Sequence, residues 1–390
     1  MAGTRQACAK VIIAVTLLAA LQATARAEYL PSFQGLGHLT GAPHASVANG
    51  VSADGTVVVG VHTIDNGNAR AFRWTPTSGM VALPSSAESV AYAVCADGSA
   101  IVGKAKGMYG ADYAACWTDN GMVQLPELPG GGYGGASAFG ISADGAVIVG
   151  ADSASNGTEA FRWDSAGIIG LGDLAGGIFQ SHAFDVSDDG NVIVGWSYSA
   201  AGGEAFRWVP GSGMTGLGDL PDGCFSSVAN AVSADGLVIV GRGCSESGQE
   251  AVRWMGTGGP LSLGDLPGGT TESEAFAASG NGSVIVGRGT TDSGRAAFIW
   301  DIVHGMRSLA DVLTQECGLD LAGWQLESAK CISPDGLIIA GYGKNPGGET
   351  EAWIARLPEP GTGALGLWAA ALLAWRRRTR AAAVPRRLAR

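Results

Sequence analysis

The chain has 390 residues, enough for two ordinary domains or one large β architecture. Only 15% of them are charged, while Gly numbers 63 and Pro only 15 with no strict short period; this excludes a collagen-like chain and points to many tight turns between short strands. The formal net charge of −11 understates the acidity of the body: the two ends hold ten of the 24 Lys and Arg, leaving 14 bases against 35 acids, a net of −21 that repels phosphate backbones and excludes nucleic acid as a partner.

Residues 1–27, MAGTRQACAKVIIAVTLLAALQATARA, combine a basic start (Arg5, Lys10), an apolar run VIIAVTLLAAL and a closing Ala25-Arg26-Ala27. That order predicts a secretory signal peptide cut between Ala27 and Glu28. The apolar core is too short for a membrane anchor.

Between the two ends, self-similarity dominates. Asp-Gly turns recur at Asp54, Asp97, Asp144, Asp189, Asp235 and Asp335, with Asn281-Gly282 as the variant, at spacings of 43, 47, 45, 46, 46 and 54. Six residues before each turn stands an Ala (Ala48, Ala91, Ala138, Ala183, Ala229, Ala275, Ala329), and six after it a Gly (Gly60, Gly103, Gly150, Gly195, Gly241, Gly287, Gly341). Ser sits two before the turn in six copies and Cys95 in the second. Further on, AFRW occupies 71–74, 160–163 and 205–208, with AACW at 114–117, AVRW at 251–254, AFIW at 297–300 and AWIA at 352–355. A segment ending LGDL closes several copies, as at Leu171–Leu174, Leu217–Leu220 and Leu263–Leu266.

Each copy therefore predicts four strands: a small-residue strand, a VVVG-type strand, AFRW and LGDL. Asp-Gly between apolar segments is a hairpin signal, because Gly takes positive φ without steric cost. The second strand is apolar throughout and is expected to be buried on both faces. Four strands in about 45 residues is the pattern of propeller blades. The fold expected is all-β: a seven-bladed β-propeller over 28–357, with an open β-solenoid as the runner-up. The seventh copy lacks a fourth strand, and SFQGLGHLTG from Ser32 carries that pattern at Leu36–Leu39. The N-terminal segment is thus expected to complete the last blade and close the ring, which removes exposed sheet edges.

The unit resembles the HAF-type extracellular repeat of bacterial secreted proteins over roughly residues 32 to 356, in all seven copies. That family is defined by its repeat, so the resemblance implies a secreted protein and no particular activity.

Six cysteines remain after signal removal, in an oxidising compartment. Cys224 and Cys244 lie in loops at the same end of one hairpin, which predicts a disulfide. Cys317 and Cys331 bracket the one stretched connection and are expected to staple it. Cys95 and Cys116 fall on strands two apart, about 9–10 Å from each other, and are expected to stay buried thiols. No CxxC or Cys/His cluster suggests a metal, and no cofactor is implied. The five His are scattered over different copies. Acids recur at Asp173, Asp219, Asp265 and Asp311, with Glu127 close by; a carboxylate ring and plain turn chemistry are the two readings, and the turn is the better one. The loops before the first strand and after the second share one face and vary between copies, as ligand-contacting loops do. His44, Tyr133, Gln180, His182, Phe225 and Glu272 are the candidates on that face.

The chain ends LPEPGTGALGLWAAALLAWRRRTR over 357–380: Pro358-Glu359-Pro360, about fifteen mostly apolar residues, then Arg376, Arg377, Arg378 and Arg380. Physically this is a short transmembrane span over 358–380, stopped by positive charge that prefers the cytoplasm, with a basic tail at 381–390. In all three parts it resembles the PEP-CTERM sorting signal of Gram-negative bacteria; the further AAAVPRRLAR departs from that pattern, and a plain C-terminal anchor is the alternative. The resemblance implies processing by an exosortase-type enzyme after transient anchoring in the inner membrane, a place at the cell surface or outside the cell, and ties to exopolysaccharide. The function expected is a binding or structural module of the envelope or exopolysaccharide matrix, meeting polysaccharide or an envelope protein. A polysaccharide lyase or hydrolase is the competing reading.

Overall fold

The computed structural model describes residues 30–39, 45–63, 68–85, 87–107, 110–130, 135–256 and 258–359. The signal segment with Ala27 and Glu28, the candidates His44 and Tyr133, and Pro360 with the apolar tail lie outside the described residues. The chain divides into a unit spanning Phe33–Ala355 and a second made of Met1–Ser32 with Arg356–Arg390, of which few residues are described. No helix among the described residues is long and apolar enough to cross a membrane.

The main unit is all-β and β-propeller-like. Repeat 5 shows the plan: Val228–Val232, Val238–Ser245, Gly248–Met255 and Leu261–Ser262 pair antiparallel in chain order as one four-stranded sheet. Repeats 2 and 6 form sheets of the same kind, repeats 3 and 4 join through one parallel contact, Thr158 against Gln180, and repeats 7 and 1 join through Ala45 against Thr350.

The repeated columns have specific tasks. Ser233 Oγ donates to Asp235 Oδ1 (2.5 Å) and accepts from Val238 N (2.9 Å), while Leu237 N donates to Asp235 Oδ1 (3.0 Å). Gly236 turns the chain at φ 71°, and a Cβ there would stand 2.7 Å from Val192 Cγ2 of repeat 4. In repeat 2 a thiol does the work of the serine: Cys95 Sγ donates to Asp97 Oδ1 at 3.1 Å and accepts from Ala100 N at 3.1 Å. The Ala and Gly columns are cross-strand partners, as in Ala229 against Gly241. A Cβ on Gly287 would lie 2.0 Å from Glu274 O and 2.6 Å from the Phe298 ring. The small residues thus make room for a neighbouring carbonyl and for the aromatic of the third strand, in addition to any crowding near an axis. The apolar runs of the second strands are buried, as Val238, Ile239 and Val240 show.

Neighbouring repeats share cores. Val57, Val59 and Leu83 of repeat 1 meet Ile101, Ala115 and Trp117 of repeat 2, and the same pattern links 2 to 3, 3 to 4, 4 to 5 and 5 to 6. Cys331, Ala340 and Ala352 of repeat 7 pack with Ala48, Val58, Phe72 and Trp74 of repeat 1. The N-terminal strand Ser32–Gly35 pairs with Thr350–Arg356. Leu36 N then donates to Ala352 O (2.8 Å), the bond that Leu83 makes to Ala71 and Leu263 to Ala251. Turns of adjacent repeats are also tied by backbone bonds: Ala53 N to Ala96 O, Ala96 N to Ala143 O, and Gly280 N to Pro334 O.

Cys224 and Cys244 form a disulfide with Cα atoms 5.5 Å apart. It closes a 20-residue loop, so the double Ser variant should lose about 3 kcal/mol in chemical denaturation. The expected Cys317–Cys331 staple is corrected: both are free thiols. Cys317 ends the π-helical turn Val312–Glu316, whereas Cys331 points into the core with its Sγ 3.7 Å from Ala340 O. Burial pushes the Cys331 thiol up to about 12, which keeps it protonated and inert. Cys95 and Cys116 are free as well, Cys95 in the turn beyond its strand.

Candidate functional site

Every repeat carries a β-bulge at the same place in its first strand. The register skips between Ala48 and Gly50, and equally at Ala91/Ala93, Ala138/Gly140, Ala183/Asp185, Ala229/Ala231, Ala275/Ala277 and Ala329/Cys331. The extra residue at each bulge is Asn49, Tyr92, Phe139, Phe184, Asn230, Phe276 and Lys330. A bulge re-aims its side chain and leaves it outside the ladder. These residues reach one another across repeats. Tyr92 and Phe139 have ring centroids 5.1 Å apart, and Phe139 and Phe184 5.6 Å apart. Asn49 Nδ2 donates to Ala91 O and Asn230 Nδ2 to Ala275 O, each at 2.9 Å. Lys330 Nζ sits 3.4 Å from the centre of the Phe276 ring. Together they form an inner belt.

On the loop side of the belt, chemistry is split by repeat. In repeat 4, His182 and Trp196 are cross-strand partners with rings 5.7 Å apart; His182 stacks on Phe184 at 6.1 Å, and Tyr198 meets Trp196 edge-on at 4.8 Å. Gln180 Nε2 approaches His182 Nε2 at 3.4 Å. Burial pulls the His182 imidazole below its ordinary value. In repeats 5 to 7 the same region is charged. Glu274 is the cross-strand partner of Arg288 and contacts it at 3.1 Å, with Arg242 Nε at 3.8 Å and Asn230 Nδ2 at 3.1 Å. Arg288 also lies 5.6 Å over Phe276. Burial pulls the Lys330 ammonium down to about 8; Glu274 opposes the shift and Arg288 adds to it.

Two cavities lie among the repeats. On the loop side, a groove of about 510 Å³ opens between repeats 1 and 2, lined by Ala69, Glu88, Lys104, Lys106 and Asp112 among others. Its charges are paired, Lys104 with Asp112 at 2.6 Å and Lys106 with Glu88 at 3.0 Å. On the turn side, a cavity of about 170 Å³ is lined by equivalent residues of all seven repeats, from Val51 and Ala53 to Ile332 and Pro334. Two carboxylates of repeat 4, Asp185 and Asp188, break its symmetry. Asp185 stands where other repeats have Gly, Ala or Cys, and its Oδ2 accepts from Val232 N at 2.9 Å. Burial raises this carboxyl to about 7, against two backbone hydrogen bonds, and nearby Asp188 adds to the rise.

Of the residues singled out from sequence, Gln180 and His182 stand beside the belt. Phe225 and Glu272 lie in connections leading into repeats 5 and 6, with Glu272 bridged to Gln249. Two of the recurrent Asp residues fasten backbone: Asp219 accepts from Leu220, Ser226 and Cys244 N–H groups, and Asp265 from Leu266 and Glu272. Among the described residues no group of three or more His, Cys, Asp or Glu is placed to hold a metal. Sequence reading missed the belt. Its signal was present as the one column between two small-residue columns that changes chemistry from copy to copy.

No family model matches the chain, and no curated protein does. Solved structures do. TolB from Acinetobacter baumannii is similar at 14% identity and a TM-score of 0.45, over 67% of this chain and 63% of that one. The putative TolB from Agrobacterium tumefaciens is similar at 14% identity and a TM-score of 0.41, over 81% and 90%. A puromycin hydrolase mutant complexed with PGG is similar at 15% identity and a TM-score of 0.49, over 82% of this chain and 53% of that one.

Proposed function

We propose that this chain is an exported seven-bladed β-propeller, closed by its N-terminal strand, that serves as a binding or structural module of the envelope or exopolysaccharide matrix. Closure is supported by the cavity that equivalent residues of seven repeats share, and by Leu36 taking up in repeat 7 the bond its counterparts make elsewhere. Export and sorting rest on the terminal segments, with Pro358-Glu359-Pro360 as the element an exosortase-type enzyme would read. Mass spectrometry of the protein from culture should find a mature start at Glu28 and loss of the tail; an intact C-terminus at Arg390 would overturn the sorting step.

The observation that carries the binding reading is the belt. The columns that build the scaffold repeat almost unchanged, whereas the bulge column runs through Asn, Tyr, Phe and Lys and is only partly buried. A purely structural ring would leave that column free to be small and uniform. The test is to screen residues 28–357 against the producing organism's own exopolysaccharide and a glycan panel, with product analysis of the same mixtures. Binding without change in chain length supports the module. New reducing ends or unsaturated products would replace it with a polysaccharide hydrolase or lyase.

A further inference from the structure

The two arcs of the belt differ in a way that specifies a ligand. Repeats 2 to 4 contribute Tyr92, Phe139, Phe184, His182 and Trp196, linked by ring contacts and only partly buried. Repeats 5 to 7 contribute three cations, Arg242, Arg288 and Lys330, against the single carboxylate Glu274. This local excess of positive charge stands out in a body with 35 acids and 14 bases. The cations are also underused. Arg242 Nη1 donates to Gln249 Oε1 at 3.2 Å, but its Nε, 3.8 Å from Glu274, makes no hydrogen bond, and the Lys330 ammonium faces an aromatic ring instead of an acceptor. In repeat 7, Ser328 takes the strand position next but one before Lys330, and its Oγ is likewise buried and unpartnered. Buried donors left unpaired cost free energy until an acceptor arrives.

We infer that the loop side of the belt binds a saccharide bearing an anionic group: the charge is received by Arg242, Arg288 and Lys330, and an apolar face of the sugar ring lies on the Phe184, His182 and Trp196 wall. The inference rests on the binding-module reading and gives its ligand a chemistry. A bare inorganic anion would have no use for the aromatic arc, and a neutral glycan none for the cations. Planar guanidinium forks suit a carboxylate, as on a uronic acid, and accept a sulfate as well.

Calorimetry on the mature chain with a short oligogalacturonate, its carboxyl-reduced neutral counterpart and a sulfated oligosaccharide of equal length tests this. The oligogalacturonate should bind at least about tenfold more tightly than the neutral chain, and the margin should shrink in roughly 0.5 M salt. Lys330→Gln and Arg242→Gln should each weaken the charged ligand about tenfold and leave the neutral one unchanged, whereas Trp196→Leu should weaken both. The sulfated arm tells whether carboxylate or sulfate is preferred. Equal affinity for charged and neutral chains, or no loss in the two charge variants with melting curves like the parent's, would overturn the inference and leave the module reading standing. If neither chain binds while an envelope protein is captured, the saccharide is overturned and the module reading again survives; if nothing binds, both fall.

Discussion

Replacing Asp185 by Asn is expected to raise the melting temperature by about 8 °C at pH 8 and to change nothing near pH 4. Asp185 is half-buried and lines the turn-side cavity with Val186 and Val232, and desolvation raises its carboxyl to about 7 from an ordinary 3.8. The folded protein therefore holds a proton at pH values where the unfolded chain has released it. Stability attached to that proton is fully present below about pH 4, falls as the pH climbs towards 7, and is gone above it. The rise of about three units corresponds to about 4 kcal/mol, which the amide variant never loses. Asn keeps an oxygen to accept from Val232 N–H, so the bond between repeats 4 and 5 is preserved. Asp188 is the other acid lining this cavity, and its carboxyl is also raised by burial and by Asp189. Thermal melts from pH 4 to pH 9 read the difference: parent and variant curves that run parallel across that range would remove Asp185 as the cause.

The second large effect concerns closure. Leu36→Ala should cost about 3 kcal/mol, and removing residues 28–39 should abolish cooperative melting near physiological temperature. Leu36 is 5% exposed in the core that repeats 7 and 1 share, beside Ala48, Phe72, Trp74 and Ala352. Phe33 lies 5.4 Å from Trp324 and 6.1 Å from Trp353, a fully buried side chain that the deletion would expose. Glu351 would lose the Gly37 N–H it accepts at 2.8 Å, and Ser46 Oγ its acceptor at Gly37 O. The deletion also leaves one side of Thr350–Arg356 unpaired beyond the Ala45 bridge at Thr350, a template for association between chains. Urea titration of Leu36→Ala and light scattering of the truncated chain check the two parts. A truncated chain that melts like the parent would sink the closed ring.

Much of this molecule is legible in its sequence. Columns that repeat seven times reported strand number, turn chemistry and the complementing N-terminal segment, because each acts locally or with its immediate neighbour. The Ser-Asp-Gly turn is satisfied within six residues, and the Cys224–Cys244 bridge joins the connection into repeat 5 to the end of its second strand, although the sequence placed Cys244 in the loop beyond that strand. The Cys317–Cys331 pairing misled because spacing along a chain says nothing about which way a side chain points; the π-helical turn and the strand send these two thiols apart.

What the sequence determined by itself is the scaffold, since periodic Ala, Gly, Ser and Asp encode contacts of short range that recur in every copy. The candidate site was decided only by the tertiary structure. Its residues come from every repeat, equivalent ones some 45 positions apart, and a bulge that no single copy announces re-aims one of them in each. Only when the repeats stand side by side do Tyr92, Phe139 and Phe184 become a wall, and Arg242, Arg288 and Lys330 a shared charge. Asp185 shows the same physics: an ordinary carboxylate in the chain becomes a titrating group near neutrality because the turns of other repeats stand beside it and desolvate it.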